Sequence, residues 1–191
     1  MNPYDLFSIE MACQLKDKNK EIVLHSVTMG PPSATQVLEE SIAMGFDEST
    51  LITDRRFAGA DVLATAYTLS QLIRYIEDYD LVFCGKQTTD GDTAQVGPEM
   101  AEFLNIPHVP YVKEILEIKE KSVVVLSNYG TYEEVVEVSF PALLTIESDV
   151  NVPRLPSFRR KSAFKSSQIT TIQLSHLEDH NPDHYGLTGS P

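Results

Sequence analysis

The sequence predicts an α/β fold, a mostly parallel sheet with crossover helices, antiparallel edge strands and an extended C-terminal arm. Three observations carry this. Short β-branched runs alternate with amphipathic stretches of helical length over residues 1–104. From about residue 107 the alternation gives way to closely spaced strand-like runs. Beyond residue 151 periodicity fades into chain rich in proline and arginine.

Taken in order, Asn2 and Pro3 have the form of a helix N-cap and first-turn proline, and Leu6, Ile9, Ala12, Cys13 and Leu15 follow at helical spacing. The run 21–28 predicts a strand. Met29-Gly30-Pro31-Pro32 ends it, and Ser33 can cap a helix through Ala43 that stops at Gly45. A strand at 50–53 and a helix over about 60–77, with Leu63, Tyr67, Ile73 and Ile76 facing inward, repeat the pattern. A third strand, 80–84, leads into GKQTTDGDTAQVGPEM (85–100) and a helix over 94–104. The runs 109–118, 122–126, 132–138 and 142–146 read as antiparallel strands on the sheet edge. Residues 179–191 read as irregular.

Composition narrows the function. With 15 Lys and Arg against 28 Asp and Glu, the formal charge of −13 excludes a nucleic-acid partner, because basic residues cluster only at 154–165. No basic segment followed by an apolar one opens the chain, and no apolar run approaches the roughly 20 residues that span a bilayer, so a soluble cytoplasmic protein without membrane insertion is expected. The two cysteines, Cys13 and Cys84, read as reduced core thiols. His176, His180 and His184 share a helical spacing that Pro182 interrupts, so no metal site is expected. No serine stands in a GxSxG elbow, and catalytic residues are not expected.

Parallel sheets bind ligands outside the carboxyl ends of their strands, which singles out the loops 28–33, 53–60 and 85–93. The last lacks both the GxxxxGK[ST] and GxGxxG patterns, so P-loop ATP hydrolysis is excluded. A helix beginning near Thr93 would still present free amides and its dipole to a phosphate, with Gln95 and Gly97 permitting close approach. Asp90 and Asp92 are then ribose acceptors or helix N-caps. The residues alone thus support residues 1–150 as a nucleotide-binding α/β domain and 151–191 as an arm.

Beyond this the chain resembles the β subunit of electron transfer flavoproteins. The resemblance rests on NPYD (2–5), MGPP (29–32), AMGFDE (43–48), DRRFAGADVLATAY (54–67), DLVFCGKQTTDGDTAQVGPEMAEFLNIP (80–107), PALLT (141–145) and NVPRLPSF (151–158). It implies a Rossmann-like nucleotide-binding sheet in a heterodimer whose α subunit carries a redox FAD, while the β subunit binds AMP or a second FAD. By position, nucleotide contacts fall on Asn2, Pro3, Tyr4 and Asp5, on Met29, and on Asp90, Gly91, Asp92, Thr93, Ala94, Gln95, Val96, Gly97, Pro98, Glu99, Met100 and Ala101. Asp61 and Thr65 would lie near the flavin ring. FAGAD and GDTAQVGP are similar to members holding FAD in this subunit and bifurcating electrons from NADH, so FAD is favoured and AMP is the alternative.

Such a protein is an electron carrier rather than a stand-alone enzyme, with the α subunit and an acyl-CoA-type dehydrogenase as partners. The arm resembles the family's recognition loop, with Phe158 in the anchoring place and Arg154 and Arg159 on its rim. Two departures stand out. Val62 and Ala66 replace hydroxyl residues of the pattern D-T-x-A-T-S, which alters hydrogen bonding to a flavin. Ser127 and Gly130 stand where basic and acidic residues are usual. The resemblance also implies a further strand before Met1 and a longer arm after Pro191. A stand-alone ATP-binding sensor of similar fold is the reading from another class.

Overall fold

The computed structural model describes residues 1–89 and 91–191. Its elements are α1 (Pro3–Lys18), β1 (His25–Met29), α2 (Thr35–Met44), β2 (Glu48–Ile52), α3 (Val62–Ile76), β3 (Leu81–Gly85), α4 (Val96–Leu104), β4 (His108–Ile118), β5 (Ser122–Asn128), β6 (Glu133–Ser139), β7 (Ala142–Ile146), α5 (Phe158–Ala163) and β8 (Ile169–Ile172). Contacts divide them into two units, each discontinuous in sequence: residues 1–10 with 76–153, and residues 11–75 with 154–191. The α/β class is as the sequence predicts.

The first unit contains a five-stranded sheet in the order β3-β7-β4-β5-β6. β7 pairs parallel to both β3 and β4, while β5 and β6 extend the sheet antiparallel. Here the structure corrects the sequence reading, which put 142–146 among antiparallel edge strands; 109–118 is antiparallel to β5 as read, but it lies inside the sheet with β7 parallel on its other side. Every residue of β7 is buried. An uninterrupted apolar run is the mark of a strand covered on both faces, hence a central parallel one. On β5, Val123, Val125 and Ser127 point inward in strict alternation, as a strand with one wet face requires. β6 is the exposed edge.

The second unit is built on a three-stranded, all-parallel sheet in the order β1-β2-β8. α2 buries Leu38, Ile42, Ala43 and Met44 and ends at Gly45, whose φ of 143° suits a residue without a Cβ. Ser33 does not cap it. A 3₁₀ turn over Pro32–Ala34 intervenes, and no side chain caps α2, because the proline pair imposes a tighter first turn. β8 was not legible in the sequence: it has four residues, and its two threonines are exposed. It is held by register with β2 and by the Thr53 N–H donating to Ile172 O at 3.0 Å.

Residues 179–191 are irregular apart from a 3₁₀ turn over Pro182–His184, as expected, yet part of the core. Tyr185 is fully buried between Phe57 and Tyr67, each at 5.4 Å between ring centroids, and its hydroxyl donates to Asp179 O at 2.7 Å. Asp179 Oδ2 takes the Tyr67 hydroxyl and lies beside His184 Nδ1, both at 2.5 Å. Burial opposes its charge, but these bonds and the Asn181 N–H outweigh that and hold its pKa down at about 2. A carboxylate with a depressed folded pKa stabilises above its ordinary value of 3.8, and that contribution is lost as pH falls through about 2. Acidification should therefore release residues 179–190 before global unfolding, seen as faster hydrogen exchange there. Asp179→Asn should remove that pH dependence; an unchanged profile would refute the assignment.

Among the described residues no helix is long and apolar enough to cross a membrane, and no group of three or more His, Cys, Asp or Glu is placed to hold a metal.

Candidate functional site

In the first unit, the carboxyl ends of β3 and β7 lie side by side, with Gly85 opposite Ile146. From there the chain enters the loop leading to α4. Asp90 lies outside the described residues. Asp92 and Ala94 are left-handed, with φ of 48° and 53°, which a helix cannot continue. Consequently α4 starts at Val96, two residues later than the sequence suggests, and Thr93 precedes its N-terminus. The N-cap is Gln95, with no side-chain cap bond. Asp92 is not a cap: its Oδ1 takes the Gln87 side-chain amide. Among the described residues no side-chain cap closes the first amides of α4, the arrangement that receives anions at helix N-termini.

The opening residues of α1 fasten this loop. Asn2 Nδ2 donates to Gln87 O at 2.9 Å, Gln87 Nε2 donates to the Tyr4 hydroxyl at 3.3 Å, and the Gly85 N–H donates to Asp5 Oδ1 at 2.9 Å. Lys86 Nζ lies 2.5 Å from Glu147 Oε1 and 5.9 Å from the Tyr4 ring centroid. Glu147 also accepts from the Ser148 N–H at 2.8 Å. Within the loop, Thr88 Oγ1 takes the Gly91 N–H and Thr88 O the Asp92 N–H. Burial raises the Asp5 pKa, while burial and then the Asp5 charge push the Cys84 thiol up to about 12, so that thiol is unreactive at neutral pH. The hydrogen bond to Glu147 raises the Lys86 pKa.

Gly97 permits the closeness of α4 to β7, since a Cβ there would sit 2.5 Å from Thr145 Cγ2. Val96, Pro98 and Glu99 share the first turn, and Met100 and Ala101 are buried core. Gln87, Thr88 and Glu147 escaped the sequence reading. Glu147 was detectable in principle, because it directly follows the carboxyl end of a buried parallel strand.

In the second unit, Met29 closes β1 and is half-buried. Asp61 acts as the cap of α3: its Oδ1 accepts the Ala64 N–H at 2.9 Å, and its own N–H donates to Ser190 Oγ at 3.0 Å. Thr65 is half-buried on α3, whereas Ala66 is fully buried. The hydroxyl missing at 66 therefore concerns core packing, and the one missing at Val62 concerns a surface. Phe158 opens α5 with its side chain 85% exposed, Arg159 is exposed, and Arg154 pairs with Asp17. Leu155 is exposed to 87%, a second apolar side chain on the arm that the sequence reading passed over.

A loop beyond the carboxyl ends of parallel strands, feeding a helix with an uncapped start, defines the class of α/β proteins that hold nucleotides. The electron transfer flavoprotein domain matches residues 1–177, and the chain belongs to that family. It is 43% identical over 194 residues to the electron transfer flavoprotein subunit beta of Thermoanaerobacterium thermosaccharolyticum and 39% over 196 residues to that of Megasphaera elsdenii. It is 39% identical over 193 residues to the caffeyl-CoA reductase-Etf complex subunit CarD of Acetobacterium woodii. Each match covers the whole of this chain and 72% of the relative. The chain is thus of the β-subunit type.

Proposed function

We propose that this chain holds FAD as the β subunit of an αβ electron-transfer heterodimer, relaying electrons between flavins and an acyl-CoA-type dehydrogenase. The observation that carries the reading is the loop 85–95 at the carboxyl ends of β3 and β7, ahead of the uncapped start of α4. A second observation supports a ligand there. Among the described residues buried Asn2 Oδ1 has no hydrogen-bond partner, and the same side chain's amide nitrogen reaches the loop; a ligand hydroxyl would satisfy it.

The amides of 95–97 would take the pyrophosphate, with Asp92 turning from Gln87 to a ribose hydroxyl; Asp90 belongs to the same assignment. Asp5 and Asn2 keep the loop from closing over those amides. A bound flavin would supply one- and two-electron redox chemistry, and the protein supplies position and electrostatics. For Met29, Asp61 and Thr65 the support is the resemblance alone. NADH as donor, with electrons divided between two flavins, belongs to the same proposal, as do a cytoplasmic location and docking through Leu155 and Phe158.

A second reading, AMP in place of FAD, draws on Val62, which offers no hydroxyl on the first turn of α3. Co-expression with the α subunit and release of bound nucleotide separates them. Two flavins per heterodimer are expected, with bleaching of visible absorbance on NADH addition. One flavin plus one AMP would establish the second reading instead, and failure to join any α subunit would favour a stand-alone sensor.

A further inference from the structure

The segment carrying the exposed apolar side chains of the arm is held within the second unit at Arg154 and at Ser157. Arg154 Nη2 lies 2.9 Å from Asp17 Oδ2 on α1, and Asp17 Oδ1 lies 3.0 Å from Lys20 Nζ. Three residues on, the Ser157 N–H donates to Ala43 O at 2.9 Å, near the end of α2. Ser157 Oγ also accepts the Arg160 N–H at 3.3 Å and so caps α5. Leu155 and Pro156 bridge these tethers, and Phe158 stands just beyond the second. A groove of about 450 Å³ runs between the segment and the ends of α1 and α2, lined by Cys13, Lys20, Met44, Gly45, Leu155 and Arg160, so the chain between the tethers is incompletely backed by packing. The polar tethers hold it there. Lys16 is engaged by Asp47, so Asp17 is left to Lys20 and Arg154.

We propose that Asp17 is a positioning residue for partner docking. By fixing Arg154 it presents Leu155 and Phe158 in one conformation, so the entropy of ordering the segment is lost before the partner arrives rather than on binding. The inference rests on reading the arm as a docking surface. The expected size is modest: an exposed ion pair is weak, and this one acts only on a short segment already held at Ser157.

The test compares the wild-type αβ heterodimer with Asp17→Asn, Asp17→Glu and the reversed pair Asp17→Arg with Arg154→Asp. Its readouts are hydrogen exchange over 154–163 and affinity for an acyl-CoA dehydrogenase that the wild-type complex reduces. Asp17→Asn should speed exchange in the segment and weaken docking, each about 5-fold, roughly 1 kcal/mol at 1.4 kcal/mol per tenfold. Nucleotide content should not change. Asp17→Glu and the reversed pair should recover most of both effects, and 1 M salt should abolish the difference. Unchanged exchange in Asp17→Asn, or faster exchange with unchanged affinity, overturns the proposal. Should Leu155→Ala with Phe158→Ala leave affinity intact, it is the docking reading of the arm that fails, while the exchange result still reports whether Asp17 holds the segment.

Discussion

Replacing Gly85 with alanine is expected to lower stability by about 3 kcal/mol and, on the proposed reading of the loop, to abolish nucleotide retention. A Cβ at that position would lie 2.6 Å from Asp5 Oδ1, 2.7 Å from Tyr4 C and 2.8 Å from Asp5 N. Two of those atoms are backbone, so no rotamer relieves the clash, and the start of α1 has to move off the end of β3. The same movement breaks the Gly85 N–H bond to Asp5 and draws away Asn2, which holds the loop through Gln87 O. For stability alone Gly91→Ala is the matched control, because its Cβ would meet the rotatable Thr88 hydroxyl at 3.2 Å rather than backbone. Urea unfolding with nucleotide quantification on the same samples checks both. A Gly85→Ala protein within about 0.5 kcal/mol of wild type would refute the close-approach argument.

Tyr185→Ala should cost about 3–5 kcal/mol, as large as any aromatic core truncation, although the residue lies six positions before Pro191 in an irregular segment. The ring is fully buried against Phe57 and Tyr67, and its hydroxyl satisfies Asp179 O. Tyr185→Phe keeps the ring contacts and loses one hydrogen bond, so about 1 kcal/mol is expected. Thermal unfolding of the two variants separates packing from the hydroxyl. Equal and small losses would mean that residues 179–190 contribute little to the fold.

Much of the fold was legible because its signals are local. The strand runs ending at Met29, Ile52 and Gly85 and the stop at Gly45 follow from the residue's own backbone preference or from side-chain spacing along one element, whereas Leu63, read as facing inward on α3, is exposed. The strand-loop-helix arrangement around GKQTTDGDTAQVGPEM was likewise recognisable, since the apolar strand, the glycine-rich loop and the following helix adjoin in sequence. The misreadings share a different cause. Whether Asp92 caps a helix or bonds Gln87 depends on the left-handed turns at 92 and 94, which nothing in residue type announces.

The sequence by itself determined the α/β class, the order of helices and strands through residue 146, the family, and the loop that carries the candidate site. Tertiary structure alone decided that β7 is an interior parallel strand, that Ile169–Ile172 completes a sheet, that Tyr185 belongs to the core, and that Asp5 meets the Gly85 N–H, Glu147 meets Lys86 and Asp17 meets Arg154. Periodicity reports which face of an element is apolar. It does not report which distant element covers that face, because that is settled by contacts between residues far apart in the chain, where backbone hydrogen bonds and close packing select one partner from many of similar composition.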